Sequence, residues 1–92
     1  QVLLQNPAVK EALVIGIPDS YRGEVPRAYV TLLPGAEADG KELTSWLNDR
    51  VGKHERVDQV VLRDELPKTM IGKLDRRTLR EQVLREAGLS AG

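Results

Sequence analysis

The chain has 92 residues, 14 basic and 14 acidic, so it carries no net charge with its single histidine neutral. That length allows one small domain with a modest core. With no cysteine and one histidine, disulfides, thiolate metal sites and His-cluster metal sites are excluded, and no apolar run approaches the 18 residues of a membrane span.

Gln1-Val2-Leu3-Leu4-Gln5 reads as the last turns of a helix already under way, stopped by Pro7. With the absence of an initiator methionine, this leads us to expect a piece of a longer polypeptide. Ala12 to Ile17 is a short β-branched apolar run closed by Pro18-Asp19-Ser20, a buried strand ending in a turn. Arg27 to Leu33 alternates, with Ala28, Val30 and Leu32 on one face and Tyr29, Thr31 and Leu33 on the other. The intervening loop permits antiparallel pairing. Lys41 to Lys53 is expected to be helical, with Leu43, Trp46, Leu47 and Val51 on one face, Asp39 as cap and Trp46 as core anchor. Val57 to Arg63 reads as a third strand, with Asp58, Val60 and Leu62 facing the core and Val61 a candidate for burial as well. Arg76 to Ala87 completes the set: Leu79, Val83 and Ala87 form a stripe, Asp75 caps the start and Gly88 terminates it. Leu84 and Leu89 stand at the spacing of the usual apolar contact past such an end, and residues 90–92 read as tail. The expected fold is α+β, a three-stranded sheet with packed helices.

The stretch from Lys68 to Arg80 holds five cations (Lys68, Lys73, Arg76, Arg77, Arg80) against one acid, Asp75. A small phosphate- or nucleic-acid-binding module would gather charge like this. The chain is only 3% aromatic, however, and lacks the basic stripe and stacking rings of such modules. Met70-Ile71-Gly72-Lys73 also lacks the upstream glycine of a phosphate-binding loop. Gly72 lets the backbone bend, and Lys73 projects from the bend as a compact cation suited to a phosphate or carboxylate.

The longer string Leu66-Pro67-Lys68-Thr69-Met70-Ile71-Gly72-Lys73-Leu74-Asp75-Arg76-Arg77-Thr78-Leu79-Arg80 resembles the C-terminal signature of the adenylate-forming enzymes. That family includes acyl-CoA synthetases, nonribosomal adenylation domains and beetle luciferases. Three further stretches resemble the family's motifs in order: Asn6-Pro7-Ala8-Val9 through Pro18-Asp19, Tyr21-Arg22-Gly23-Glu24 with Arg27-Ala28-Tyr29-Val30, and Val60 to Pro67. Two features depart from the pattern. His54-Glu55-Arg56-Val57-Asp58 stands where many relatives carry a Tyr-Lys-x-Pro-like stretch, and Tyr29 replaces a common phenylalanine.

The resemblance implies that residues 1–92 are the small rotating C-terminal domain of an AMP-forming acyl-CoA synthetase, with a large N-terminal domain and a hinge upstream. Lys73 would be the adenylation lysine, supported by Pro67, Thr69 and Gly72, and a plausible acetylation site. Gly16, Tyr21, Arg22, Gly23 and Arg76 would be contacts on the CoA or phosphate side. ATP and magnesium would be bound mainly by the large domain, with CoA as co-substrate and a carboxylic acid, leaning towards a long-chain fatty acid, as substrate. An adenylation domain loading a carrier protein is the alternative. The expected setting is cytoplasmic, without nucleic acid, and the isolated domain is expected to be inactive.

Overall fold

The computed structural model describes residues 2–88. Strands β1 (Val9–Asp19), β2 (Gly23–Leu32) and β3 (Val60–Leu62) form one sheet in that order. β1 and β2 are an antiparallel hairpin, whereas β2 and β3 are parallel. A parallel neighbour needs a crossover connection, and helix α1 (Gly40–Asn48) lies within it. Helix α2 (Arg76–Glu86) follows the lysine loop. The α+β expectation holds.

The sheet is apolar on both faces, so it carries two cores. Ala12, Ala28, Val30 and Val60 pack with Leu43 and Leu47 of α1 and with Leu3, which a 3-10 turn over Val2–Gln5 delivers. Leu13, Ile15, Ile17 and Tyr29 pack on the other face with Leu79 and Val83 of α2 and with Leu66. The alternation expected of β2 is the one observed. Asp39 and Asp75 cap their helices through Glu42 N and Thr78 N, and Gly88 takes φ +73° past the end of α2. Trp46 is half-buried at the margin of the first core, with the Arg50 guanidinium 4.1 Å from its ring centroid.

Several boundaries differ from the sequence expectation. Val2–Gln5 form a 3-10 turn, not the end of an α-helix. β1 runs on through Pro18-Asp19, and β2 begins at Gly23 and contains Pro26. Prolines normally interrupt a ladder because they lack an N–H. On β2, Pro26 O accepts from Asp58 N, Ala28 N donates to Gln59 O and Val30 O accepts from Arg63 N, so the even-numbered residues face β3. Their β1 partners Gly16, Val14 and Ala12 therefore point away from β2. Pro18 shares that parity, so its missing N–H lies on the open edge. Pro26 sits ahead of the point where β3 begins.

α1 stops at Asn48 instead of Lys53. The Asn48 side chain pairs with the Val57 backbone in both directions, Nδ2 to O at 2.9 Å and N to Oδ1 at 3.0 Å. Lys53–Glu55 form a separate 3-10 turn. The third strand is limited to Val60–Leu62, so alternation does not extend back to Val57. Val57 is buried in the first core, Val61 packs against the second, and Leu62 is exposed. The Leu84–Leu89 contact and the 90–92 tail lie outside the described residues.

Candidate functional site: a clamped lysine hairpin

Residues 67–75 form a miniature hairpin. Leu66 enters it from the second core, where it is 3% exposed, and Leu74 leaves it packed against that same core. Between them Lys68 bridges Leu74, Thr69 N donates to Lys73 O at 2.7 Å, and Asp75 N donates to Pro67 O at 2.9 Å. Gly72 N closes the tip on Thr69 O at 2.9 Å, and Lys73 N reaches Thr69 Oγ1 at 3.3 Å. Met70-Ile71-Gly72 is thus a three-residue hairpin connection, which needs a left-handed residue. Gly72 supplies it, at φ +86°. Pro67, Thr69 and Gly72 each have a physical task in shaping the loop.

Gly72→Ala is expected to strain the tip by about 1–2 kcal/mol, the left-handed penalty for an L-residue. Amide exchange at Thr69 and Asp75 should then accelerate roughly 5–30-fold, while exchange within α1 stays unchanged. Equal acceleration in both places would mean that Gly72 supports the whole fold and not the hairpin alone.

The five cations of this stretch resolve into different tasks. Lys68 Nζ pairs with Glu11 Oε2 at 2.8 Å. Arg76 Nε donates to Val14 O and Arg80 Nε to Gly16 O, each at 3.0 Å. Arg77 makes an i, i+4 contact with Glu81 at 3.4 Å, and Arg80 also approaches Glu24 at 3.4 Å. Among the described residues, Lys73 alone of the five makes no side-chain hydrogen bond or ion pair. It is exposed, beside a tip where Met70 is fully exposed and Ile71 nearly so.

The arginine pair has a geometric reason. A helix rises about 6 Å over four residues and a strand about 6.8 Å over two. Arg76 and Arg80 on α2 therefore match the spacing of the outward carbonyls of Val14 and Gly16 on β1. Gly16 also leaves room for Glu24, since a Cβ there would collide with the Glu24 carboxylate. The other residues singled out lie at the β1–β2 turn. Tyr21 N is held by Asp19 Oδ1 at 2.9 Å, Tyr21 is 94% exposed, Arg22 is exposed and Gly23 takes φ +82°. The structure thus joins Gly16 and Arg76 at one sheet edge and gathers Tyr21, Arg22 and Gly23 at the turn.

Three carboxyls are held below their ordinary range. Glu11 is lowered chiefly by the Lys68 ammonium, Asp75 by the Thr78 backbone N–H, and Glu86 by the Arg63 guanidinium, which it meets at 3.0 Å. A carboxyl depressed in the folded state contributes stability above its unfolded pKa, and the contribution is lost as pH falls through the folded value. Urea midpoints should therefore hold steady down to about pH 5 and fall below about pH 4. The combined change Glu11→Gln with Glu86→Gln should flatten that fall. A midpoint that rises below pH 4 would contradict the sign.

This fold is shared with the C-terminal domain of the AMP-binding enzymes. The chain is 42% identical over 82 residues to the long-chain-fatty-acid–CoA ligase of Bacillus subtilis, covering 89% of this chain and 15% of that protein. It is 39% identical over 90 residues to the 4-coumarate–CoA ligase-like 9 protein of Oryza sativa, covering 98% of this chain and 16% of the relative. It superposes on the acyl-CoA synthetase of Brucella canis with a TM-score of 0.80 at 38% identity, over 92% of this chain and 16% of that one. Residues 1–73 match the family model of the AMP-binding enzyme C-terminal domain, and the chain belongs to that family. It spans about 15% of the length of the curated relatives it matches.

Sequence reasoning singled out Lys73 and its loop, and it passed over Glu11, which pairs with Lys68 far along the chain. It also gave no partner for Arg80, which donates to Gly16 O.

Proposed function

We propose that residues 1–92 are the small, rotating domain of an ATP-dependent, AMP-forming acid–thiol ligase, and that Lys73 serves its first half-reaction. There a carboxylate attacks the α-phosphorus of ATP and pyrophosphate departs. Two anions must meet, and charge shifts between oxygens in the transition state. A cation held in a partly dewetted cleft offsets that repulsion. The observation that carries the reading is that Lys73, on the returning leg of the hairpin, is the unpartnered cation of the 68–80 stretch, while Lys68 and the arginines of α2 are engaged.

The large domain is proposed to lie upstream and to bind ATP, magnesium and the acid. Among the described residues no three His, Cys, Asp or Glu side chains converge to hold a metal ion. In the second half-reaction the domain turns and Lys73 leaves the site. Tyr21, Arg22 and Gly23 at the β1–β2 turn, with Gly16 and Arg76 at the sheet edge, are proposed to face CoA. The Arg76 Nε stays on Val14 O while the rest of its exposed guanidinium meets phosphate. The acid is proposed to be a fatty acid, the class named for the Bacillus relative. Aryl acids outpacing fatty acids in a substrate panel would overturn that part. No helix among the described residues is long and apolar enough to cross a membrane, and a cytoplasmic setting is proposed.

The deciding experiment assays the half-reactions of full-length Lys73→Ala enzyme separately, by pyrophosphate exchange and by thioester formation from supplied acyl-adenylate. Loss of the first alone supports the reading, and survival of both overturns it. The isolated domain should not turn over ATP with any acid.

A further inference from the structure

We infer that Thr31, Glu11 and Lys68 form a latch that aims the lysine hairpin, and that Glu11 and Lys68 are positioning residues for Lys73. The inference rests on the reading of Lys73 as the adenylation lysine.

The latch begins with an irregularity in β1. Val9 pairs with Leu32 and Glu11 with Thr31, so the register shifts between Val9 and Glu11. Val9 lies in the first core, yet Leu13 and Ile15, which share its parity, lie in the second. The extra residue of a β-bulge produces such a change of face, and bulges re-aim side chains. Without it, Glu11 would follow Val9 towards α1. With it, Glu11 stands on the face that carries α2 and the hairpin.

On that face each carboxylate oxygen has its own partner. Thr31 Oγ1 donates to Oε1 at 3.1 Å and Lys68 Nζ donates to Oε2 at 2.8 Å. Thr31 is the buried polar residue of the sheet, 3% exposed, so its hydroxyl fixes the carboxylate from the rigid side. Lys68 is on the outgoing leg of the hairpin, opposite Leu74, the residue next to Lys73. The returning leg is held by Leu74 in the core and by the Asp75 cap. Beyond Leu66, the outgoing leg has the Lys68–Glu11 pair as its side-chain tie to the sheet. With the Lys68 side chain 43% exposed, the pair adds little to stability. Its effect lies in direction, since a reacting group displaced by about 1 Å can lose up to roughly a hundredfold in rate.

The test uses full-length enzyme carrying Lys68→Met, Glu11→Gln, Lys68→Arg or, as a reference, Lys73→Ala. Lys68→Met and Glu11→Gln should each lower kcat for adenylation about tenfold. KM for ATP and acid should hold, as should thioester formation from supplied acyl-adenylate. Lys68→Arg, which keeps a donor for Glu11, should restore most of the rate. If Lys73→Ala collapses adenylation while Lys68→Met and Glu11→Gln stay within twofold of the unaltered enzyme, the latch is overturned and the Lys73 reading stands. If Lys73→Ala leaves adenylation intact, the Lys73 reading itself fails. Equal losses in both half-reactions, or no rescue by arginine, would make the pair merely structural and overturn the latch.

Discussion

Replacing Lys73 with alanine in the full-length ligase is expected to slow acyl-adenylate formation by about 10²–10³-fold, the usual effect of removing one preorganised donor from a developing charge. The expectation follows from the surroundings of the ammonium. No acid among the described residues neutralises it, so its full charge is available to an incoming anion. The loop that carries it is closed by backbone hydrogen bonds on both sides of the tip, so little ordering remains for the moment of reaction. Lys73→Arg should recover only part of the rate, because a planar guanidinium does not reproduce a compact ammonium on a flexible stem. Pyrophosphate exchange measures the first step directly. A loss below threefold would place the cation outside the reacting centre.

The largest effect on stability is expected at Leu79. Its side chain is fully buried between α2 and the sheet, packed with Leu13, Ile15 and Tyr29. Leu79→Ala removes those contacts and leaves a cavity, a change that costs about 2–5 kcal/mol in tightly packed cores. Domains of this size hold only about 5–15 kcal/mol in total, so the urea midpoint should drop steeply. Since α2 begins three residues after Lys73, adenylation should fall with it. Met70→Ser at the exposed tip should leave the midpoint nearly unchanged, within about 0.5 kcal/mol. A Leu79→Ala loss below about 1 kcal/mol would mean that α2 does not seal the second core.

The face assignment of β2, both helix caps and the Gly88 terminator were legible because each depends on residues close in sequence. Pro18 was read as closing its strand and Pro26 fell outside the strand expected from Arg27, because a proline's tolerance depends on which way the ladder faces, a property of the partner strand. The end of α1 was hidden for a similar reason. The helix closes at Asn48, whose side chain pairs with the Val57 backbone, and no local signal announces that bond. The lysine hairpin could be read as a motif, Gly72 and Lys73 above all. Glu11 could not, because its role arises from a one-residue bulge that turns it towards a lysine far along the chain. Arg76 and Arg80 stood out only as members of a cation-rich stretch, because their acceptors belong to a strand formed some sixty residues earlier.

The two guanidiniums on the open side of β1 also bear on how copies of this domain behave at high concentration. A long, apolar border strand with free carbonyls is a template on which another chain can add a strand. Here the Val14 and Gly16 acceptors are already occupied, and a visiting strand would have to displace both arginines and lift α2 before it could dock. The contacts that fasten the last helix thereby also guard the sheet against edge-to-edge aggregation.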